Sequence, residues 1–279
     1  MYNHFMKRLC IFAHYDKDNL IDDYVIYYLK ELKKSFNKII FVSDSDLSKK
    51  ETDKIIDIVD YIQAFKHGEY DWGSYKYGYF IAKENYLLSN IDEVLFCNDS
   101  VYGPITSLEP ILDKMTADDC DFWGMYENQD RIEKGVKENH LQSWFLLLKN
   151  NVVNSGLFDD FICSIKPLAD KNEIIKKYEI GFTQFMSNCF KYRTLYACEK
   201  GNAVTQATPT LLEKGFPFIK TVVVRKYNLN MKQVPNVLVE LIKKHSKRVG
   251  TINKIQKFFK TISWQRRMQK YLISSYFNY

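Results

Sequence analysis

Short apolar runs alternate with amphipathic stretches through the first hundred residues of the chain. Between the runs, apolar side chains recur at helical spacing over residues 19–34 and 49–59. The runs of strand length are residues 8–13, 38–43, 61–65 and 94–97. Alternation of this kind predicts an α/β fold with a mostly parallel, Rossmann-type sheet and helices on both faces.

Polar side chains follow several of these predicted strands at their carboxyl ends. They are His14 and Asp16 after the first strand, Asp44 after the second, and Asn98, Asp99 and Ser100 after the run 94–97. Ligands of α/β sheets bind just beyond the carboxyl ends of strands, so a site is expected here. The oxygen atoms suit Mg²⁺, Mn²⁺ or sugar hydroxyls, and the alternative interpretation is that they cap the following turn.

Residues 66–78 are punctuated by glycines and predict a loop that leads into a helix over residues 79–88. In this interpretation Lys76 lies near a helix N-terminus, where it suits a phosphate group. The stretch matches neither the dinucleotide-binding glycine pattern nor the P-loop pattern. The sequence therefore gives no support for a dinucleotide or ATP site.

The second half of the chain supplies three further candidates for chemistry. His140 precedes an apolar strand that ends at residue 149, and it is either a general base, a hydrogen-bonding partner of a sugar, or structural. Glu179 opens a predicted helix over 177–188, where it either favours the helix dipole or accepts a proton from a hydroxyl group. Lys220 follows a turn and begins a β-type run that continues to residue 225.

Composition places the chain among globular proteins, since 46% of its 279 residues are hydrophobic and 27% are charged. Its six cysteines form no CxxC pair, which argues against a zinc site or a disulfide framework and favours a reducing compartment. The first eight residues lack the apolar core of a signal peptide, and no run approaches the ~20 apolar residues of a membrane span. We therefore expect a cytoplasmic protein.

Charge is distributed unevenly along the chain. Residues 220–279 carry a net charge of +13, whereas the preceding part carries −7. The predicted helix over 251–272 is amphipathic and basic, so it either lies on an anionic membrane surface or packs against the body of the protein with a solvated face. An acidic body without a recognised DNA or RNA module argues against nucleic-acid binding.

Seven sequence blocks, in this order along the chain, resemble the rhamnan synthesis protein F family of bacterial sugar transferases for surface polysaccharides. The blocks are residues 13–16, 67–76, 98–104, 121–124, 140–145, 178–179 and 215–220. The resemblance covers residues 9–225 and stops before the basic tail. It implies a GT-A-like glycosyltransferase domain over residues 1–227, and the charge pattern predicts a basic amphipathic helical extension over residues 228–279.

By this resemblance the protein transfers rhamnose or another hexose or deoxyhexose from a dTDP-, UDP- or GDP-linked donor, with inversion. The acceptor is a growing surface polysaccharide or a lipid-linked glycan at the inner face of the cell membrane. Glu179 and His140 are the implied catalytic residues. The implied donor-binding residues are His14, Asp16, Asp44, Asp71, Lys76, Asn98, Asp99, Ser100 and Lys220. The implied acceptor-binding residues are Tyr102, Trp123, Gln142 and Ser143.

One departure from the family pattern concerns the metal. GT-A enzymes hold a divalent cation with an Asp-x-Asp motif, whereas this chain has Asn98, Asp99 and Ser100 at that point. Asp99 is then the sole carboxylate of the motif, and dependence on Mn²⁺ or Mg²⁺ stays open, with Lys76 or Lys220 as the alternative group that offsets the phosphate charge. The same departure supports an alternative function, a non-catalytic glycan-binding or assembly protein that keeps the transferase fold.

Overall fold

Buried apolar strands form the centre of the protein in a computed structural model that describes residues 6–129, 131–133, 135–198, 208–226 and 234–249. The strands are β1 (Arg8–His14), β2 (Lys38–Ser43), β3 (Tyr61–Ala64), β4 (Glu93–Asn98), β5 (Val101–Tyr102), β6 (Phe122–Asn128), β7 (Ile132–Glu133), β8 (Val136–Lys137), β9 (His140–Leu141), β10 (Phe145–Lys149), β11 (Tyr192–Cys198) and β12 (Ile219–Lys220).

Helices cover both faces of this sheet. They are α1 (Asp23–Lys33), α2 (Lys49–Thr52), α3 (Tyr70–Glu84), α4 (Glu109–Thr116), α5 (Asn150–Val153), α6 (Gly156–Cys163), α7 (Lys171–Ile174), α8 (Gly181–Met186), α9 (Thr208–Glu213), α10 (Thr221–Lys226) and α11 (Asn236–Arg248). A 3₁₀ turn spans Leu87–Asn90, and a π-helical turn, Ile175–Ile180, joins α7 to α8.

Within the described residues, eight strands form one sheet in the order β11–β6–β10–β4–β1–β2–β3, with β9 paired to β6. Strands β3, β2, β1 and β4 are parallel, and β11 is parallel to β6. Strand β10 runs antiparallel to both of its neighbours, β4 and β6. The predicted class, a mostly parallel α/β sheet, is confirmed. Because β10 is reversed, its first residue lies beside the carboxyl end of β4.

The central strand β1 is buried along its whole length, as a strand covered on both faces must be. Cys10 and Phe12 face one apolar layer, which includes α1 and α11. Ile11 and Ala13 face the opposite layer, which includes α3, α6 and α8. Cys10 of β1 and Cys97 of β4 are buried free thiols, which pack as small apolar side chains.

The predicted loop over 66–78 is wrong, because helix α3 already begins at Tyr70. Its glycines serve close packing instead of a turn. A Cβ atom on Gly78 would lie 2.3 Å from Cγ2 of Ile11 on β1, so only glycine lets α3 approach the sheet this closely. Lys76 consequently lies inside α3 and not in a first helical turn beside a phosphate.

The β-type run predicted after Lys220 is also wrong, since β12 ends there and Thr221 begins helix α10. Val223 and Val224 of this helix are buried in the apolar core. The β preference of such residues mainly reflects packing on a half-buried surface, and here the helix supplies the packing. The helix predicted over 49–59 ends as α2 at Thr52, and the helix predicted from 177 begins earlier, at Lys171.

Helix α11 is the last helix of the described residues and packs against α1. The guanidinium group of Arg248 at its end pairs with Asp16, Asp18 and Asp22 in the segment between β1 and α1. The basic helix predicted over 251–272 lies outside the described residues, and the division at residue 227 stays a prediction. No helix in the described ranges has the length and apolar character needed to span a bilayer.

We expect Gly78→Ala to destabilise the protein by about 1–3 kcal/mol, because the added methyl group must displace Ile11 or push α3 off the sheet. Urea denaturation measures the change. Gly156→Ala is the matched control: Gly156 is also helical but has no neighbouring atom within 4 Å of the new methyl group. Equal midpoints for the two variants would contradict the packing argument.

Candidate active site

The parallel register of β1, β2 and β4 brings three predicted polar residues to one edge of the sheet. His14 lies opposite Ser43, and Ala13 lies opposite Asn98. Nδ1 of His14 lies 2.8 Å from Oγ of Ser43. The carboxylate of Asp99 accepts a hydrogen bond from the backbone N–H of the residue after His14 (3.2 Å) and lies 3.7 Å from Nε2 of His14.

The antiparallel pair of β5 and β12 brings Lys220 to the same edge. Lys220 lies opposite Val101, and the backbone N–H of Thr221 donates to the carbonyl group of Ser100 at 2.9 Å. The ammonium group of Lys220 donates to Oγ of Ser100 (2.8 Å) and lies 4.9 Å from the centre of the Trp144 ring. The backbone pairing of β12 with β5 therefore fixes the position of Lys220 at the site.

A directional series of hydrogen bonds runs from Lys220 to Asp71, and we call it the Lys220–Asp71 chain. Lys220 donates to Oγ of Ser100, which donates to Oδ1 of Asn98 at 2.6 Å. Nδ2 of Asn98 then donates to Oδ2 of Asp71 at 2.7 Å. The chain begins at an ammonium group and ends at a carboxylate, and bonds with ionised partners are the strong ones.

Asp71, Asp99, Glu179 and Lys220 form one electrostatic unit, which we call the Lys220 cluster. Burial raises the pKa of Asp71, with Lys220 and Lys171 opposing and Glu179 adding to the rise. Burial and then the charge of Asp71 raise the pKa of Asp99 well above its usual range. Burial lowers the pKa of Lys220 to about 8, although Glu179 and Asp71 oppose the shift. Lys220 is thus electrostatically linked to three carboxylates.

Glu179 lies in the π-helical turn between α7 and α8, and such turns are frequent at functional sites. Its carboxylate accepts a hydrogen bond from Oγ of Ser143 at 2.6 Å and lies 3.4 Å from Nε2 of His140. Burial would raise the pKa of Glu179, but the hydrogen bonds from His140 and Ser143 outweigh burial and lower it. Burial would lower the pKa of His140, but the hydrogen bonds to Glu179 and to the backbone of Glu138 outweigh burial and raise it. Glu179 is therefore ionised near neutral pH.

Two predicted donor-binding residues make contacts outside the Lys220 cluster. The carboxylate of Asp44 accepts the backbone N–H groups of His67 (2.9 Å) and Gly68 (2.8 Å), so it fixes the loop before α3. Lys76 pairs with Glu69 and donates to the carbonyl oxygen of Ile165 at 3.1 Å. These contacts give both residues structural roles, and the donor-binding role of Asp44 and Lys76 stays a prediction.

Asp16, also predicted to bind the donor, lies at the exit of β1 but is held by Arg248. Burial opposes the lowering of the Asp16 pKa, and the bonds from Arg248 and from the backbone of Asp18 overcome it. No sequence pattern marked Arg248 for such a role, because it lies in the stretch assigned to the tail. The C-terminal helix therefore reaches the strand exits of the sheet.

Two predicted acceptor-binding residues lie in the core. Tyr102 is 1% accessible and its hydroxyl group lies 2.6 Å from Nδ1 of His245. Trp123 is 0% accessible and packs against Phe145. Side chains this buried cannot touch a substrate in this conformation, and the acceptor role stays a prediction that this structure does not support.

The other two predicted acceptor residues lie beside the site. Oε1 of Gln142 accepts a hydrogen bond from Nε1 of Trp144 at 2.8 Å, and Ser143 binds Glu179. Trp144 was missed as a site residue although it lies within the block 140–145. Lys171, which acts on the pKa values of both Asp71 and Lys220, was also missed, and no sequence motif marks it.

The donor atoms at the motif do not fit a divalent cation held by the protein. Oδ1 of Asn98 already accepts hydrogen bonds from the backbone N–H (3.0 Å) and Oγ (2.6 Å) of Ser100. One oxygen of Asp99 accepts the N–H of Tyr15. In the part of the chain that the structure describes, no three His, Cys, Asp or Glu side chains converge as metal ligands.

The charged cluster lies at the carboxyl ends of strands in a mostly parallel α/β sheet, which is where α/β proteins bind their ligands. The chain belongs to the rhamnan synthesis protein F family, whose model matches residues 39–275.

A curated relative, the uncharacterized protein y4gN of Sinorhizobium fredii (strain NBRC 101917 / NGR234), is 26% identical over 162 residues. The match covers 58% of this chain and 41% of the relative, so the chain spans about two-fifths of that protein's length.

Similar solved structures share little sequence with this chain. The glycosyltransferase GlyE of Streptococcus pneumoniae TIGR4 in its apo form is 13% identical, covering 85% of this chain and 60% of that one, with a TM-score of 0.44. A putative nucleotide-diphospho-sugar transferase of Desulfovibrio desulfuricans G20 is 10% identical, with coverages of 89% and 98% and a TM-score of 0.41. Core-mannan synthase A of Aspergillus fumigatus, in a Mn/GDP form, is 8% identical, with coverages of 70% and 74% and a TM-score of 0.39. These likenesses are remote.

Titration of the five histidines tests the pairing of His140 with Glu179. We expect His140 to titrate above the ordinary histidine value and Glu179→Gln to lower its pKa, because burial then acts without the carboxylate. His14 is the internal control: burial lowers its pKa to about 4, so it stays neutral between about pH 5 and 8 in both proteins. Imidazole NMR signals measure both groups, and an unchanged His140 in the variant would contradict the pairing.

Proposed function

We propose that the protein is an inverting glycosyltransferase that moves rhamnose or another hexose or deoxyhexose from a nucleotide-sugar donor. The proposed acceptor is a growing surface polysaccharide or a lipid-linked glycan. The observation that carries the proposal is the ionised carboxylate of Glu179 within one cluster with Lys220, at the carboxyl ends of parallel strands. Membership of the rhamnan synthesis protein F family supports the sugar-transfer chemistry.

Glu179 is the proposed general base. Glycosyl transfer passes through an oxocarbenium-like state, and the attacking hydroxyl group must lose a proton to a group within hydrogen-bond reach. The bonds from Ser143 and His140 fix the carboxylate in position and keep it ionised. The Glu179 side chain is 21% exposed, so an acceptor hydroxyl group can approach it. A single displacement with one base inverts the anomeric centre.

The donor is proposed to lie across the exits of β1 and β4. The leaving diphosphate develops negative charge, which a fixed cation stabilises. Lys220 is that cation, and His14, Asp99 and Ser100 line the same edge of the sheet. Of the predicted donor-binding residues, this arrangement leaves out Asp44 and Lys76.

We expect Glu179→Gln to lower turnover by roughly 10²–10⁴-fold, since it removes the proton acceptor, while nucleotide binding is retained. Release of nucleoside diphosphate from dTDP-, UDP- and GDP-sugars in the presence of a glycan acceptor measures turnover. Glu173→Gln is the matched control, because Glu173 lies on the exposed start of the same helical segment.

Two results would count against the proposed base. Near-wild-type turnover in Glu179→Gln would remove Glu179 from catalysis. Binding of a glycan by the wild-type protein without turnover of any of these donors would favour the alternative, a non-catalytic glycan-binding protein.

The protein is proposed to act at the inner face of the cell membrane through its basic tail. We expect replacement of Lys254, Lys257 and Lys260 by glutamine in the full chain to weaken binding to anionic vesicles by about a hundredfold, at about 1 kcal/mol for each lysine near the surface. Cosedimentation with phosphatidylserine vesicles measures this, with phosphatidylcholine vesicles as the control. Equal binding of wild type and variant to anionic vesicles would reject the membrane role of the tail.

A further inference from the structure

We propose that the ammonium group of Lys220 takes the place of a divalent cation, so that this protein binds the diphosphate of its donor without a metal ion. The inference rests on the proposed function and goes further, because it assigns the chemical group that neutralises the leaving diphosphate. It is carried by the geometry of the Lys220–Asp71 chain.

The side-chain amide of Asn98 is engaged in hydrogen bonds within the protein. Asn98 uses its amide group in both directions, accepting from Ser100 through Oδ1 and donating to Asp71 through Nδ2. An aspartate at this position could not make the donor bond, and it would set a further carboxylate against Asp71. Asn98 therefore serves the series of hydrogen bonds and has no oxygen lone pair directed to a metal in this arrangement.

The positive charge of Lys220 disfavours a second cation at the site. Hydrogen bonds through Ser100 and Asn98 connect the ammonium group of Lys220 to Asp71, so the cluster already contains a cation that offsets carboxylate charge. A divalent ion bound by Asp99 and the diphosphate would lie next to this ammonium group, and like charges at short range repel. One cation at the site therefore disfavours the other.

The ammonium group of Lys220 has hydrogen-bond donors left for a ligand. An ammonium group carries three N–H donors. Among the described contacts, Lys220 gives one hydrogen bond, to Oγ of Ser100, and packs on the ring of Trp144. Donors remain for phosphate oxygens, and pairing of β12 with β5 holds the group in place before the ligand arrives.

Isothermal titration of the full chain with UDP, GDP and dTDP, each with Mn²⁺ and with EDTA, tests the inference. We expect the affinity for the nucleotide that binds to agree within about threefold between the two conditions. Lys220→Met should lose at least about tenfold in EDTA, whereas Lys220→Arg, which keeps the charge, should lose less. Lys214→Met is the matched control, since Lys214 is an exposed lysine on the approach to β12. Thermal unfolding of each variant confirms that it is folded.

Asn98→Asp supplies a second and independent measurement. The substitution breaks the Lys220–Asp71 chain and creates two adjacent carboxylates at the end of β4. We expect this variant to bind Mn²⁺ more tightly than the wild-type protein, as read from the free Mn²⁺ signal by electron paramagnetic resonance. Equal Mn²⁺ affinity in the two proteins would contradict the role given to Asn98.

The outcomes separate the inference from the proposed function. A tenfold or larger gain in wild-type nucleotide affinity on adding Mn²⁺ overturns the inference and leaves a nucleotide-sugar transferase. Unchanged binding of Lys220→Met in EDTA overturns the inference in the same way. No binding of any of the three nucleotides in either condition overturns the inference and the donor-binding part of the proposed function together.

Discussion

The electrostatic link between Lys220 and three carboxylates is the constraint on which the site depends. Partly buried carboxylates are costly unless a cation or hydrogen bonds stabilise them. Here Lys220 acts on Asp71, Asp99 and Glu179 together, while Ser143 and His140 stabilise Glu179 separately. The result is chemical differentiation: Asp71 and Asp99 have raised pKa values, whereas that of Glu179 is lowered. The three carboxyl groups of the Lys220 cluster therefore differ in their protonation.

Much of this arrangement could be predicted from sequence, because parallel strands put their polar exits at one edge. Four short apolar runs gave β1 to β4, and the residues that follow β1 and β4 do meet, as the contact of Asp99 with the backbone of Tyr15 shows. The approach of residues 140–145 to the same edge requires the reversal of β10, which hydrophobic pattern alone does not encode. Strand direction is decided by packing across the whole sheet.

The errors share a physical cause, which is that local patterns carry no information on distant neighbours. The glycines in α3 predict a loop by local pattern, but in the structure Gly78 lies against Ile11 of β1 inside a helix. The valines after Lys220 favour a strand by local preference, but in the structure they form a helix that packs in the core. Trp123 is an aromatic residue near polar ones in sequence, yet in space it faces the apolar layer. Tertiary contacts override propensity in each case.

The least predictable contact joins the two ends of the described chain. Arg248 ends α11 with its guanidinium group among Asp16, Asp18 and Asp22, three carboxylates of the segment that leaves β1. The planar fork of arginine suits such multiple pairing better than lysine does. The same segment supplies the N–H group of Tyr15 that binds Asp99, so Arg248 stabilises the position of an atom at the site through the backbone. The C-terminal helix is thus part of the architecture that shapes the strand exits, which agrees with a family match that continues past residue 227 to residue 275.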